Sequence, residues 1–142
     1  MATLTWYGLG MKAALTGNVD FDSDTFYAML CTSSYTPNQD THDYRDDVTN
    51  EVSGTGYTAG GTSLGSATVT YDGATNQVRI TWPDVTWPTS TITARTAVIY
   101  KRRGGAASAD ELIAYATETA DVSTTGGTFT LDLASPSLTV TV

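Results

Sequence analysis

Residues 67–82 read ATVTYDGATNQVRITW. Ala67, Val69 and Tyr71 alternate with threonines, and Val78, Ile80 and Trp82 alternate with Gln77, Arg79 and Thr81. A period of two puts apolar side chains on one face of an extended chain and polar ones on the other, so each half reads as a strand with one wet face. Asp72-Gly73-Ala74-Thr75-Asn76 separates the halves as a short Gly-containing loop, which makes the whole segment a β-hairpin. The same alternation returns in Thr91–Lys101, TITARTAVIYK. The chain is therefore an antiparallel β protein.

Composition supports this outward from the hairpin. Of 142 residues, 28 are Thr and 13 are Gly, while Glu, Lys and Gln are scarce. β-branched side chains fit a pleated, half-buried surface and lose rotamer freedom in helices. At 15.0 kDa the chain suits one domain with one core, residues 1–142. No window approaches the roughly 18 apolar residues of a membrane span. MATLTWYGLGMKAAL is broken by Thr and Gly and lacks a basic start, so a soluble chain without a cleaved leader is expected.

Along the rest of the chain, residues 1–17 form an arm or a short helix. The preferred reading is a helix over Gly8–Leu15, stopped by Thr16-Gly17-Asn18. Thr25–Thr32 reads as a strand. Ser33–Glu51 is too long and too polar for a hairpin turn and reads as a surface loop at about 33–51, with one helical turn near Asp43–Val48. Pro83-Asp84-Val85-Thr86-Trp87-Pro88 is expected at a sheet edge or outside the ladder, because proline has no N–H to donate. Lys101–Asp110 (KRRGGAASAD) is a basic, flexible loop. A strand over Glu111–Thr117, a turn at Ser123–Gly127, and strands over Thr128–Leu133 and Ser137–Val142 complete seven to eight strands. Such spacing fits a β-sandwich or jelly roll.

Several patterns that could carry chemistry lose it on inspection. Gly61-Thr62-Ser63-Leu64-Gly65 matches G-x-S-x-G, but a nucleophile elbow needs a strand-to-helix turn and a histidine after the serine. Here a strand follows and the single histidine, His42, comes first. Asp20-Phe21-Asp22-Ser23-Asp24 opens like an EF-hand loop but has Thr25 and Cys31 where Gly and Glu belong, so an acidic turn capping its own amides is preferred over a calcium site. His42 has no second histidine or nearby cysteine with which to build a zinc set. Cys31, the single cysteine, ends the apolar run FYAMLC and reads as a buried small hydrophobe. Trp82 and Trp87 sit in repeated Thr-Trp-Pro tripeptides; core packing is the commoner use, with sugar stacking as the alternative. Catalytic residues, metal ligands and cofactors are all expected to be none, and the chain is not expected to be an enzyme.

Charge is segregated. Eight carboxylates fall between Asp20 and Glu51 with only Arg45 among them, whereas Arg95, Lys101, Arg102 and Arg103 supply four of the seven cations. A net charge of -8 argues against nucleic acid, whose phosphates need a basic footprint, and points to protein partners. Tyr35, Asp40, Tyr44, Arg45, Asp46 and Asp47 are the expected partner-binding residues. Lys101, Arg102 and Arg103 form a candidate basic loop that a neighbouring copy's acidic loop would attract.

GTGYTAGGTSLGSATVTYD at residues 54–72, VTW at 85–87 and STITARTAVIYK at 90–101 resemble a group of small structural proteins of tailed bacteriophages and prophages. The likeness takes in KAALTG at 12–17, DFDSDT at 20–25 and the SSYTPNQDTHDYRDDVTNEVSGTGY stretch, covering most residues from about Met11 to Lys101. It implies a virion protein made in the host cytoplasm, most like a capsid decoration or cement protein. Such a protein sits on the outer surface of the head as a homo-oligomer, with a trimer favoured, and binds the major capsid protein. A tail, baseplate or fibre-associated module with glycan or receptor binding is the alternative. The resemblance supplies no catalytic residue.

Overall fold

The computed structural model describes residues 2–142, and the 67–82 hairpin is present in it. In chain order the elements are β1 (Thr5–Trp6), α1 (Gly8–Leu15), β2 (Phe26–Cys31), β3 (Thr62–Ser63), β4 (Thr68–Asp72), β5 (Gln77–Thr81), β6 (Val85–Lys101), β7 (Leu112–Leu131) and β8 (Leu138–Thr141). A 3-10 turn covers Arg45–Asp47, within the helical turn expected there. Two antiparallel sheets result, β1-β7-β6-β2-β3 and β4-β5-β8, giving an all-β, sandwich-like domain with one short helix. α1 has the expected bounds and is closed by Asn18 N–H bonding the Ala13 carbonyl at 2.9 Å.

Three sequence expectations need correction. Ser123–Gly127 is not a turn: β7 runs through it, and Thr128–Leu133 is not a separate strand but largely the end of β7. Hydroxyl pairs across the ladder hold the segment extended, Ser90 Oγ to Thr124 Oγ1 at 2.9 Å and Thr93 Oγ1 to Ser123 Oγ at 2.8 Å. Between the pairs Ile92↔Thr124 and Ser90↔Gly127 one extra residue is absorbed on β7, where Gly126 takes φ 65°. Such a left-handed bulge suits glycine. Second, of the two placements expected for Val85–Pro88, a sheet edge or outside the ladder, the second fails, since the segment is paired with β7 on one side. Val85, Thr86 and Trp87 pair with Leu131, Thr130 and Phe129, and Pro88 occupies the register shift that follows. Third, the sequence reading has no strand just before the hairpin, whereas Thr62–Ser63 pairs with Tyr27 and Ala28 as β3. Gly61 has φ 77°, and a Cβ there would overlap the Ala28 carbonyl.

The main core lies between the sheets. Phe26, Ala28 and Leu30 from β2 meet Ile80, Leu138, Trp82, Trp87, Ile92 and Phe129. Trp82 stands edge-on to Phe26 with ring centres 5.4 Å apart, and Trp87 edge-on to Phe129 at 5.9 Å. Both tryptophans are buried, so neither offers a ring face to a sugar. Truncating such a side chain costs about 3–5 kcal/mol. Met29, Cys31, Val98, Tyr100 and Leu112 form a second cluster with Tyr7 and Tyr35. Apolar residues on both faces explain why β2 reads FYAMLC without alternation. Tyr35 and Val48, from the 33–51 segment, cover this second cluster.

Candidate functional site

The expected contact residues lie on the Ser33–Glu51 segment and the adjoining 101–111 segment, and the structure brings the two together within one chain. Tyr35 is the first anchor. Its side chain is 4% exposed, and its hydroxyl meets Tyr7 Oη at 2.9 Å and His42 Nδ1 at 3.0 Å. His42 Nδ1 also receives the Asn38 N–H at 3.3 Å, so it acts as an acceptor. Tyr35 then donates to His42, and Tyr7 donates to Tyr35. Burial pushes the Tyr35 phenol up to about 12 and raises Tyr7 as well. His42 is thus no free surface histidine but a clasp stacked on Tyr35, ring centres 5.8 Å apart.

Further along, Asn38 Oδ1 accepts the N–H groups of Asp40 and Thr41, and Gln39 Nε2 donates to the Trp6 carbonyl at 2.9 Å. Asp47 accepts the Asp43 N–H at 2.9 Å, which holds its carboxylate below the usual range. Desolvation and the neighbouring Asp47 push Asp43 the other way. Leu112 N–H bonds the Asp43 carbonyl and Arg45 N–H the Asp110 carbonyl, each at 2.9 Å, so the segment is stitched to the start of β7.

The charges follow the backbone. Arg45 Nε lies 2.9 Å from Asp110 Oδ2, and its guanidinium stands over the Tyr100 ring at 5.2 Å. Asp110 is 1% exposed and also accepts the Arg103 N–H at 2.9 Å. Arg103 grips Glu111 through two nitrogens, at 2.6 and 3.2 Å, and this bonding raises its pKa. Lys101 is 8% exposed, with Nζ 2.7 Å from Asp24 Oδ2 and 2.8 Å from the Asn18 carbonyl. Lys101 and Arg103 therefore spend their charge inside the chain. Arg102 lies over the Tyr27 ring at 4.4 Å. Of the nine expected contact residues, Asp40, Asp46, Arg102 and Arg103 are exposed, Tyr44, Arg45 and Asp47 are half-buried, and Tyr35 and Lys101 are turned inward.

Nothing in the sequence marks Asp110 and Glu111 as site residues. They follow a glycine-rich basic run that reads as solvated, and the one available signal was Arg45, a lone cation among carboxylates. Glu51 is a further organising group, accepting the Tyr57 hydroxyl at 2.7 Å and the Gly60 N–H at 2.6 Å.

Elsewhere, the residues of the rejected motifs make local hydrogen bonds or are buried. Asp20 accepts the Asp22 N–H and the Ser23 hydroxyl, and Asp24 accepts the Asp20 N–H, as an acidic turn capping itself does. Ser63 Oγ accepts the Gly65 N–H. Cys31 is buried, and burial pushes its thiol up to about 12, which keeps it out of the thiolate form. The arrangement is suited to presenting a braced polar surface. Comparison with known proteins found no matching family model, no matching curated protein and no matching solved structure.

Proposed function

We propose that the chain is a bacteriophage virion structural protein, a capsid decoration or cement protein that binds the outer surface of the head. The reading rests on the resemblance drawn from the sequence alone, over residues from about Met11 to Lys101, to small phage structural proteins. The braced 33–51 segment is compatible with it. A surface already ordered loses little conformational entropy on docking, and many copies on a symmetric lattice turn modest contacts into avidity. Its partner would be the major capsid protein, met through the exposed rim that includes Asp40 and Asp46. Binding the expanded lattice alone would stabilise it by linkage.

A single-particle map of the phage or induced prophage that encodes the chain tests this. Density for the fold is expected on the outer head surface, at junctions between capsid subunits. Density at the tail alone would overturn the head assignment in favour of a tail or baseplate module. Absence from the particle would overturn the virion reading. Asp40→Lys with Asp46→Lys should lower head occupancy without moving the unfolding midpoint.

A further inference from the structure

The β4-β5-β8 sheet overhangs the core. Ile80 and Leu138 are buried in it, and Val69 pairs with Ile80 on the same face. One row further out, Tyr71, Val78 and Val140 continue that apolar face without joining either core cluster. Val69 is 40% exposed and Tyr71 60%. The opposite face carries Thr68, Thr70, Gln77, Arg79, Thr139 and Thr141.

The open edges differ. The outer side of β8 is held by the N-terminal segment, through Leu4 N–H to the Ser137 carbonyl at 3.3 Å and Trp6 Nε1 to the Thr139 carbonyl at 3.0 Å. The outer edge of β7 is broken where Glu118–Asp121 stand opposite Arg95 alone, a charged bulge of the kind that blocks edge pairing. Among the described residues, no backbone hydrogen bond joins Thr68–Tyr71 to anything but β5. The β4 ladder is unbroken from Thr68↔Thr81 to Asp72↔Gln77, and the strand holds neither proline nor lysine.

We propose that β4 pairs antiparallel with β4 of a second copy, centred on Thr70, joining the two three-stranded sheets into one. The strand TVTYD is self-complementary about its middle. Val69 would face Tyr71 of the second copy on the apolar side, an aromatic against a β-branched residue, and Thr70 would face its own image on the polar side. Charge selects this occupant. A chain of net charge -8 repels its copies over most of its surface. At β4 the single charge, Asp72, is neutralised by Arg79 at 2.6 Å, so the edge meets its image without net repulsion. A five-residue pairing falls short of the roughly 1,200–2,000 Å² of a stable interface, so the contact is weak and grows with concentration or on an array. The symmetry is two-fold, so it links copies in pairs instead of closing a ring of three. It is independent of where the protein is deployed.

Sedimentation velocity on the full chain over a wide concentration series tests this. A monomer–dimer equilibrium is expected, weakened at least about tenfold in the double variant Val69→Lys, Tyr71→Lys, whose circular dichroism stays unchanged. Thr70→Cys should form a disulfide dimer on mild oxidation, because antiparallel partners lie about 4.5–5.5 Å apart at Cα; Thr119→Cys on the β7 bulge should not. Cys31 is buried and does not compete. If the lysine variant fails to fold, the cysteine pair still decides. A monomer at all concentrations, association unaffected by the lysines, or preferential cross-linking through Thr119→Cys would each overturn the proposal. Burial of β4 only when virion proteins are added would overturn it too, giving the edge to another partner.

Discussion

Residues Ser33–Glu51 and residues Thr68–Asp72 use the surface in opposite ways. The first segment is hydrophilic and carries five of the fifteen carboxylates, yet its key groups turn inward: Tyr35 under the Tyr7 and His42 clasp, Arg45 onto Asp110. The second is a regular half-apolar strand that should serve as scaffold, yet it ends at an open edge with Val69 and Tyr71 uncovered. Polarity in a sequence tells which side chains tolerate water, not which have already found partners. Regular alternation tells which face is apolar, not whether another layer covers it.

The comparison breaks most visibly in alkali. Burial pushes Cys31, Tyr35 and Tyr100, all in the cluster beside the 33–51 segment, up to about 12. The unfolded chain releases these protons first, from the ordinary values of 9.0 for the thiol and 10.0 for the phenols, so the folded state binds more protons in between. Stability is therefore fully present below pH 9 and falls as pH rises to about 12, by up to roughly 1.4 kcal/mol per unit for each group. Urea unfolding across that range, with phenolate absorbance as the second signal, should show the loss. A flat profile would mean the cluster is not closed.

Next in size, Asp110→Ala strands the Arg45 guanidinium and the Arg103 N–H. It should lower unfolding free energy by about 3 kcal/mol and make the 33–51 segment protease-sensitive. A loss below about 1 kcal/mol would show that the segment is held by packing alone. Tyr35→Phe keeps the ring but removes the hydroxyl shared with Tyr7 and His42, and should cost about 1–2 kcal/mol in the same titration. Smallest of all, Tyr71→Thr should change monomer stability by less than about 0.5 kcal/mol, because its ring packs on neither core cluster.

Much of this fold was legible where the period was local. The hairpin over 67–82, α1 over Gly8–Leu15 and the strand around Phe26–Cys31 each announce themselves within a few residues. Ser123–Gly127 does not, because Ser, Thr and Gly suit a turn equally well. Only the facing Ser90 and Thr93, 34 and 30 positions away from their partners, decide for a strand. Pro88 is misleading for the same reason, since a bulge tolerates what a regular ladder refuses. The candidate site was half legible. The 33–51 segment is where it was expected, but its braces, Asp110, Glu111 and Tyr7, come from other elements and carry no local mark of burial.

Amide hydrogen exchange read by mass spectrometry at dilute and concentrated protein tests the contrast most directly. Residues 35–48 should be protected equally at both concentrations, while residues 68–72 should gain protection only when concentrated. Free exchange across 35–48, or a β4 strand indifferent to concentration, would contradict it.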